Sequence, residues 1–73
     1  MLDVKYEIID NIATLSRKGN WALELNIVRW NDGEPKFDIR SWNEDHTKCS
    51  KGINLTPGEA QVLVAAMQER LER

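Results

Sequence analysis

A single cysteine, Cys49, in 73 residues rules out an internal disulfide and points to a reducing compartment. No apolar run approaches the ~20 residues needed to cross a membrane, and the start MLDVKYEIID has neither the basic nor the apolar region of a signal peptide. The expectation is a cytoplasmic protein. With 4 glycines and 2 prolines the chain has no linker, repeat or low-complexity segment, so residues 1–73 read as one small domain. A chain this short buries a modest fraction of its surface, and without a disulfide a homodimer is the simplest way to enlarge its core. Excess positive charge is missing too: 10 Lys/Arg stand against 12 Asp/Glu, a net charge of −2. That counts against a duplex binder that depends on phosphate neutralisation. It leaves room for a local basic strip, because the field follows the distribution of charge.

What the chain does contain is concentrated between Leu23 and Trp42. Leu23, Leu25 and Ile27 alternate with Glu24, Asn26 and Trp30, and Phe37 and Ile39 alternate with Lys36, Asp38, Arg40 and Trp42. Successive strand side chains point to opposite faces, so two strands here share one wholly apolar face. The other face, expected to be wet, carries two tryptophans among basic and polar groups. Exposed aromatics beside Lys and Arg make a stacking platform for unpaired bases. Trp21 is in phase with Leu23 and is expected in the core. The segment Asn31-Asp32-Gly33-Glu34-Pro35 reads as a hairpin turn. Keeping the apolar residues of both strands on one face requires an odd loop, such as a three-residue turn with Gly33 left-handed and a bulge. Two registers satisfy this parity: one sets Asn26 opposite Arg40, the other Glu24 opposite Arg40.

Around this hairpin, Tyr6–Ile9 and Ile12–Ser16 are rich in strand formers, with a bend or bulge at Asp10-Asn11. Arg17-Lys18-Gly19-Asn20 is a polar turn, Asn43–Ser50 a polar loop, and Lys51–Leu55 a short strand. Thr56 as N-cap, Pro57 as first helical residue and Glu59 three positions after the cap signal a helix start. Ala60, Leu63, Val64, Met67 and Leu71 form one apolar stripe, widened by Val62 and Ala66. So broad a stripe exceeds what a small sheet covers and suggests a subunit contact. The order of elements is α+β: a curved antiparallel sheet of four to five strands, then one C-terminal helix.

His46 and Cys49 form an H-x-x-C pair, too few ligands for a structural zinc site. No third orienting group or oxyanion motif supports a nucleophile, and Lys51-Gly52 is not a phosphate loop. No cofactor and no enzymatic activity are expected.

Several separated motifs in order carry a family resemblance. They are the Tyr-Glu-Ile-Ile start, Glu-Leu-Asn, Trp-Asn-Asp, Glu-Pro-Lys, Asp38-Ile39-Arg40-Ser41-Trp42, Asp-His, and Lys51-Gly52-Ile53-Asn54-Leu55-Thr56 before an amphipathic helix. Together they resemble the positive cofactor four family of transcriptional coactivators, in particular its small bacterial YdbC-like branch. The resemblance implies a curved sheet backed by a helix, dimerised through the helix region, that binds single-stranded DNA along its strands. By position, Lys51 matches the basic residue before the glycine, Arg29 and Arg40 match the strand arginines, and Trp42 and Trp30 lie at or next to aromatic positions. Asp32 and Glu34 are acidic where the eukaryotic branch has a basic turn.

The resulting expectation is a non-enzymatic, homodimeric single-strand binder of little sequence preference, serving transcription, replication or repair, with RNA as a further candidate ligand. Bases would stack on Trp42 and Trp30, while Arg29, Lys36, Arg40 and Lys51 track the backbone and Lys48 adds a loop contact. The rival reading is a protein-interaction module using the same aromatic face. Two plainer readings stand beside these. The tryptophans are covered by another subunit or by the loop, and Lys36 and Arg40 are solvated or pair with Glu24 across the sheet.

Overall fold

The strands follow one another in space as in sequence: β1 (Tyr6–Lys18), β2 (Trp21–Trp30), β3 (Lys36–Trp42) and β4 (Ile53–Leu55) form one antiparallel sheet in that order. One helix, α1 (Pro57–Leu71), follows, which completes the α+β architecture. The structure, a computed structural model, describes residues 5–72. Residues 1–4, part of the segment read above for a leader, and residue 73 lie outside the described residues. Among the described residues no helix is long and apolar enough to cross a membrane.

β1 departs from the two short strands expected. It runs unbroken for 13 residues, but its pairing with β2 slips between Ile8 and Asp10, Asn11 and Ala13, and Thr14 and Ser16. Each slip leaves one extra residue, Ile9, Ile12 and then Leu15, and each such bulge bends the strand and increases its twist. The bend expected at Asp10-Asn11 is therefore one part of a bulge series. At the following turn Gly19 takes φ 61°, a conformation that glycine adopts without steric cost.

Of the two registers that parity allows for β2 and β3, the chain adopts the one that pairs Glu24 with Arg40 and Leu25 with Ile39. The turn chemistry differs from the expectation. Asn31, at φ 55°, and not Gly33 takes the left-handed conformation. Asn31 suits the position because its side chain tolerates that region and works there twice. Its backbone N–H donates to the Lys5 carbonyl at 2.6 Å, and its Oδ1 accepts from the Lys5 N–H at 3.2 Å. Gly33 closes the turn by donating to the Trp30 carbonyl at 3.0 Å.

Burial reverses the expected polarity of the sheet. In β2 it is Ala22, Glu24, Asn26 and Val28 that are buried, while Leu23, Leu25 and Ile27 are only half-buried. Trp21, read above as core, is 40% exposed. The reason is where the covering elements go. α1 lies against β3 and β4 alone and has no buried residue, so it leaves open an apolar groove of about 620 Å³ lined by Leu15, Leu25, Phe37, Ile39, Leu63 and Met67, among others. The loop after β3 instead folds over the polar face.

The helix start is as the sequence indicates. Thr56 Oγ1 accepts from the Glu59 N–H at 3.2 Å and Glu59 Oε1 accepts from the Thr56 N–H at 2.9 Å, a complete capping box. Thr56→Ala is expected to cost ~1 kcal/mol in urea denaturation, the usual contribution of a cap. The Thr56 backbone N–H, and then its hydroxyl contact, hold the Glu59 carboxyl below its ordinary value of 4.5. A depressed carboxyl stabilises the fold above its unfolded pKa. The contribution is therefore complete above about pH 4.5 and fades as the pH falls through the lower folded value.

Candidate nucleic-acid interface

The side chains of even number on β2 and β3 share one face, and there the alternation brings together Trp30, Lys36, Asp38, Arg40 and Trp42. Trp30 and Trp42 stack, 6.3 Å between centroids and 11° between planes. On Trp30 lies the Arg40 guanidinium, its central carbon 4.4 Å from the ring centroid. The arrangement is a ladder: Trp42, Trp30, Arg40. Tyr6 packs against both indoles at 5.6 and 5.2 Å, entering from β1.

Asp38 organises the outer half of this ladder. Its side chain is wholly buried, and its two oxygens take three donors. Arg40 Nε donates to Oδ1 at 2.7 Å, while Trp30 Nε1 and Asn54 Nδ2 donate to Oδ2 at 3.2 and 2.8 Å. One carboxylate thus ties β2, β3 and β4 together. Burial works to lower the Arg40 pKa, but its hydrogen bond and charge contact with Asp38 carry it above the ordinary arginine value. The guanidinium therefore stays charged although its side chain is only 13% exposed. Its Nη1 donates to the Ser50 carbonyl at 3.4 Å, with Cys49 Sγ at 3.9 Å.

The inner half is closed by the loop. His46, at φ 58°, brings Nε2 to 2.9 and 3.0 Å from the two carboxylate oxygens of the buried Glu24 and its ring to 5.6 Å from that of Trp42. The Tyr6 hydroxyl donates to the His46 carbonyl. Glu24 also accepts from Asn26 Nδ2 at 3.0 Å. Within the loop, Asn43 Oδ1 accepts from the Thr47 and Lys48 N–H groups at 2.9 Å each. The Thr47 hydroxyl donates to Asp45 Oδ1 at 2.7 Å and holds that carboxyl below its ordinary value.

Two of the expected site residues stand apart from the exposed part of this face. Trp42 lies on the expected face but is fully buried, because Tyr6, Trp30 and the His46 loop cover it. It is the floor of the ladder and offers no free face for a base. Of the readings above, coverage by the loop is the one realised. Arg29 has odd parity in β2, so it projects from the opposite face, where it pairs with Glu7 at 3.3 Å. Lys36 and Arg40 share the face with Trp30, and Arg40 bonds Asp38 although Glu24 is its cross-strand neighbour. Lys48 and Lys51 are both exposed, in the loop and just after it.

Tyr6, Glu24, Asp38, His46 and Asn54 are the site residues that the sequence reading did not assign. For Glu24 and Asp38 the signal was present, since both share the parity of the tryptophans. Tyr6, His46 and Asn54 reach the site from elements whose placement alternation does not give.

Gly52 is needed for this geometry. A Cβ there would lie 2.4 Å from both Arg40 Cβ and the Ile39 carbonyl oxygen, closer than atoms can approach. The segment after Lys51 thus passes directly over the stem of Arg40. Gly52→Ala is expected to push β3 and this segment apart and cost ~1–3 kcal/mol in denaturant unfolding, the usual range for overpacking.

A family model described as Transcriptional Coactivator p15 (PC4) matches residues 18–66. The chain belongs to that family. The matched segment contains every residue of the ladder and its polar support except Tyr6. An uncharacterized protein of Treponema pallidum (strain Nichols) is 45% identical over 62 residues, which cover 84% of this chain and 73% of that protein. A bacterial relative of this kind agrees with the small bacterial branch of the positive cofactor four family. Membership points to a nucleic-acid-binding, coactivator-like role.

Proposed function

We propose that this protein is a non-enzymatic, homodimeric binder of single-stranded DNA. The observation that carries the reading is the Trp42–Trp30–Arg40 ladder, a prebuilt stack of planar groups ending in a permanently charged guanidinium. Unpaired bases pack against the outer face of the guanidinium that caps Trp30, since bases stack on Arg planes as they do on aromatic rings. Lys36 on the same face, with Lys48 and Lys51 near the ladder, supplies point charges for phosphates. Arg29, on the other face, has no part in this contact.

The open side of the sheet supports the dimer. The groove between α1 and the apolar face holds half-buried Leu25 and Ile39 beside Leu63, 37% exposed, and Met67, 52% exposed. A second copy docking the same stripe would bury it symmetrically and give Leu23, Leu25 and Ile27 the cover the single chain lacks.

Tryptophan fluorescence tests the strand reading. Added oligo-dT should quench it, a matched duplex much less, and salt should weaken the effect. Trp30→Phe should remove most of the quenching. No quenching by the single strand at low salt would sink the reading.

A further inference from the structure

Asp38 occupies the hydrogen-bonding edges of the two groups that the strand is proposed to meet. Arg40 can read a guanine only by turning its fork toward O6 and N7 of the base. Here Nε is spent on Asp38 Oδ1 at 2.7 Å and Nη1 faces the Ser50 carbonyl at 3.4 Å, so the fork is turned into the protein. Trp30 has one donor, Nε1, and it too is taken by Asp38, at 3.2 Å. Trp42 and the guanidinium cover the faces of Trp30, so what remains for a base is the outer face of the guanidinium, and a face does not distinguish bases.

We infer that Asp38 is a specificity-determining residue: by holding Arg40 and Trp30 edge-inward, it makes the site indifferent to base identity. The inference rests on the single-strand reading above and deepens it. Asp38 touches no base. It acts through the two groups it orients, and its full burial with three donors holds it fixed between β2, β3 and β4.

The test compares affinities for oligo-dT and for the same oligomer carrying one central dG. The parent protein should bind both within about twofold. Asp38→Asn removes the charge that fixes Arg40 and frees its fork, so affinity for oligo-dT should fall while preference for the dG strand rises on the order of tenfold, the discrimination of a bidentate guanine contact. In an Arg40→Lys background, which has no fork, the same change should create no dG preference. Equal loss of affinity for both strands would show a merely structural role and overturn the inference, leaving strand binding intact. A parent protein that binds neither strand would overturn the strand reading, and the inference with it.

A second measurement needs no variant. In the parent protein the Arg40 Nε–H and Trp30 Nε1–H should exchange slowly with solvent, and equally slowly with either strand bound. Fast exchange in the free protein, or exchange that differs between the two strands, would overturn the inference even if Asp38→Asn fails to fold.

Discussion

Trp42→Ala is expected to lose ~3–5 kcal/mol of stability, the cost of emptying a fully buried large aromatic site. Small domains have roughly 5–15 kcal/mol in total, so the variant should be largely unfolded under mild denaturant, as read by far-UV circular dichroism. The expectation follows from coverage on every side: Tyr6, Trp30 and His46 all pack on the indole, and its exposure is 0%. Trp42→Phe should be far milder. The Trp42 Nε1 makes no hydrogen bond among the described residues, so phenylalanine forfeits volume but no polar partner. A Trp42→Ala protein as stable as the parent, with only strand binding lost, would place the indole at the surface and contradict the covering loop.

The second large effect concerns the open groove. Met67→Asp should convert a dimer into a single chain, halving the mass measured by light scattering. Met67 is 52% exposed in the single chain, so aspartate there costs the isolated fold little. At a symmetric interface each copy would bury an unpaired carboxylate, at a cost of several kcal/mol apiece. Since every 1.4 kcal/mol is about tenfold in affinity, association should weaken by at least about a hundredfold. A parent protein that already has the mass of one chain at micromolar concentration would refute the dimer.

Much of the architecture was legible because local chemistry carried it. The capping box Thr56-Pro57-x-Glu59 specifies a helix start by satisfying backbone donors within four residues, and no distant contact has to agree. Period-two alternation in Leu23–Ile27 and Phe37–Ile39, joined by parity, narrowed the hairpin to two registers, one of which is realised. β1 was harder to read for a definite reason. Its bulges leave Ile9, Ile12 and Leu15 at a spacing of three, which matches neither the strand period nor the helical one. Gly33 drew the left-handed assignment by residue type, whereas Asn31 took it because its side chain and backbone both pair with Lys5.

By itself, then, the sequence determined which side chains share a face, where the helix begins, and which family the chain belongs to. Each depends on periodicity or motif order, and these are properties of the chain alone. Only the tertiary structure decided which face is covered. Alternation separates two faces but cannot say where a loop or a helix comes to rest. Here the His46 loop settled on the tryptophan face through Glu24 and Tyr6, and α1 stayed at the β3–β4 edge. That placement buries Trp42, exposes Trp21, and turns a pair of wet-face tryptophans into a ladder with Trp42 as its covered floor.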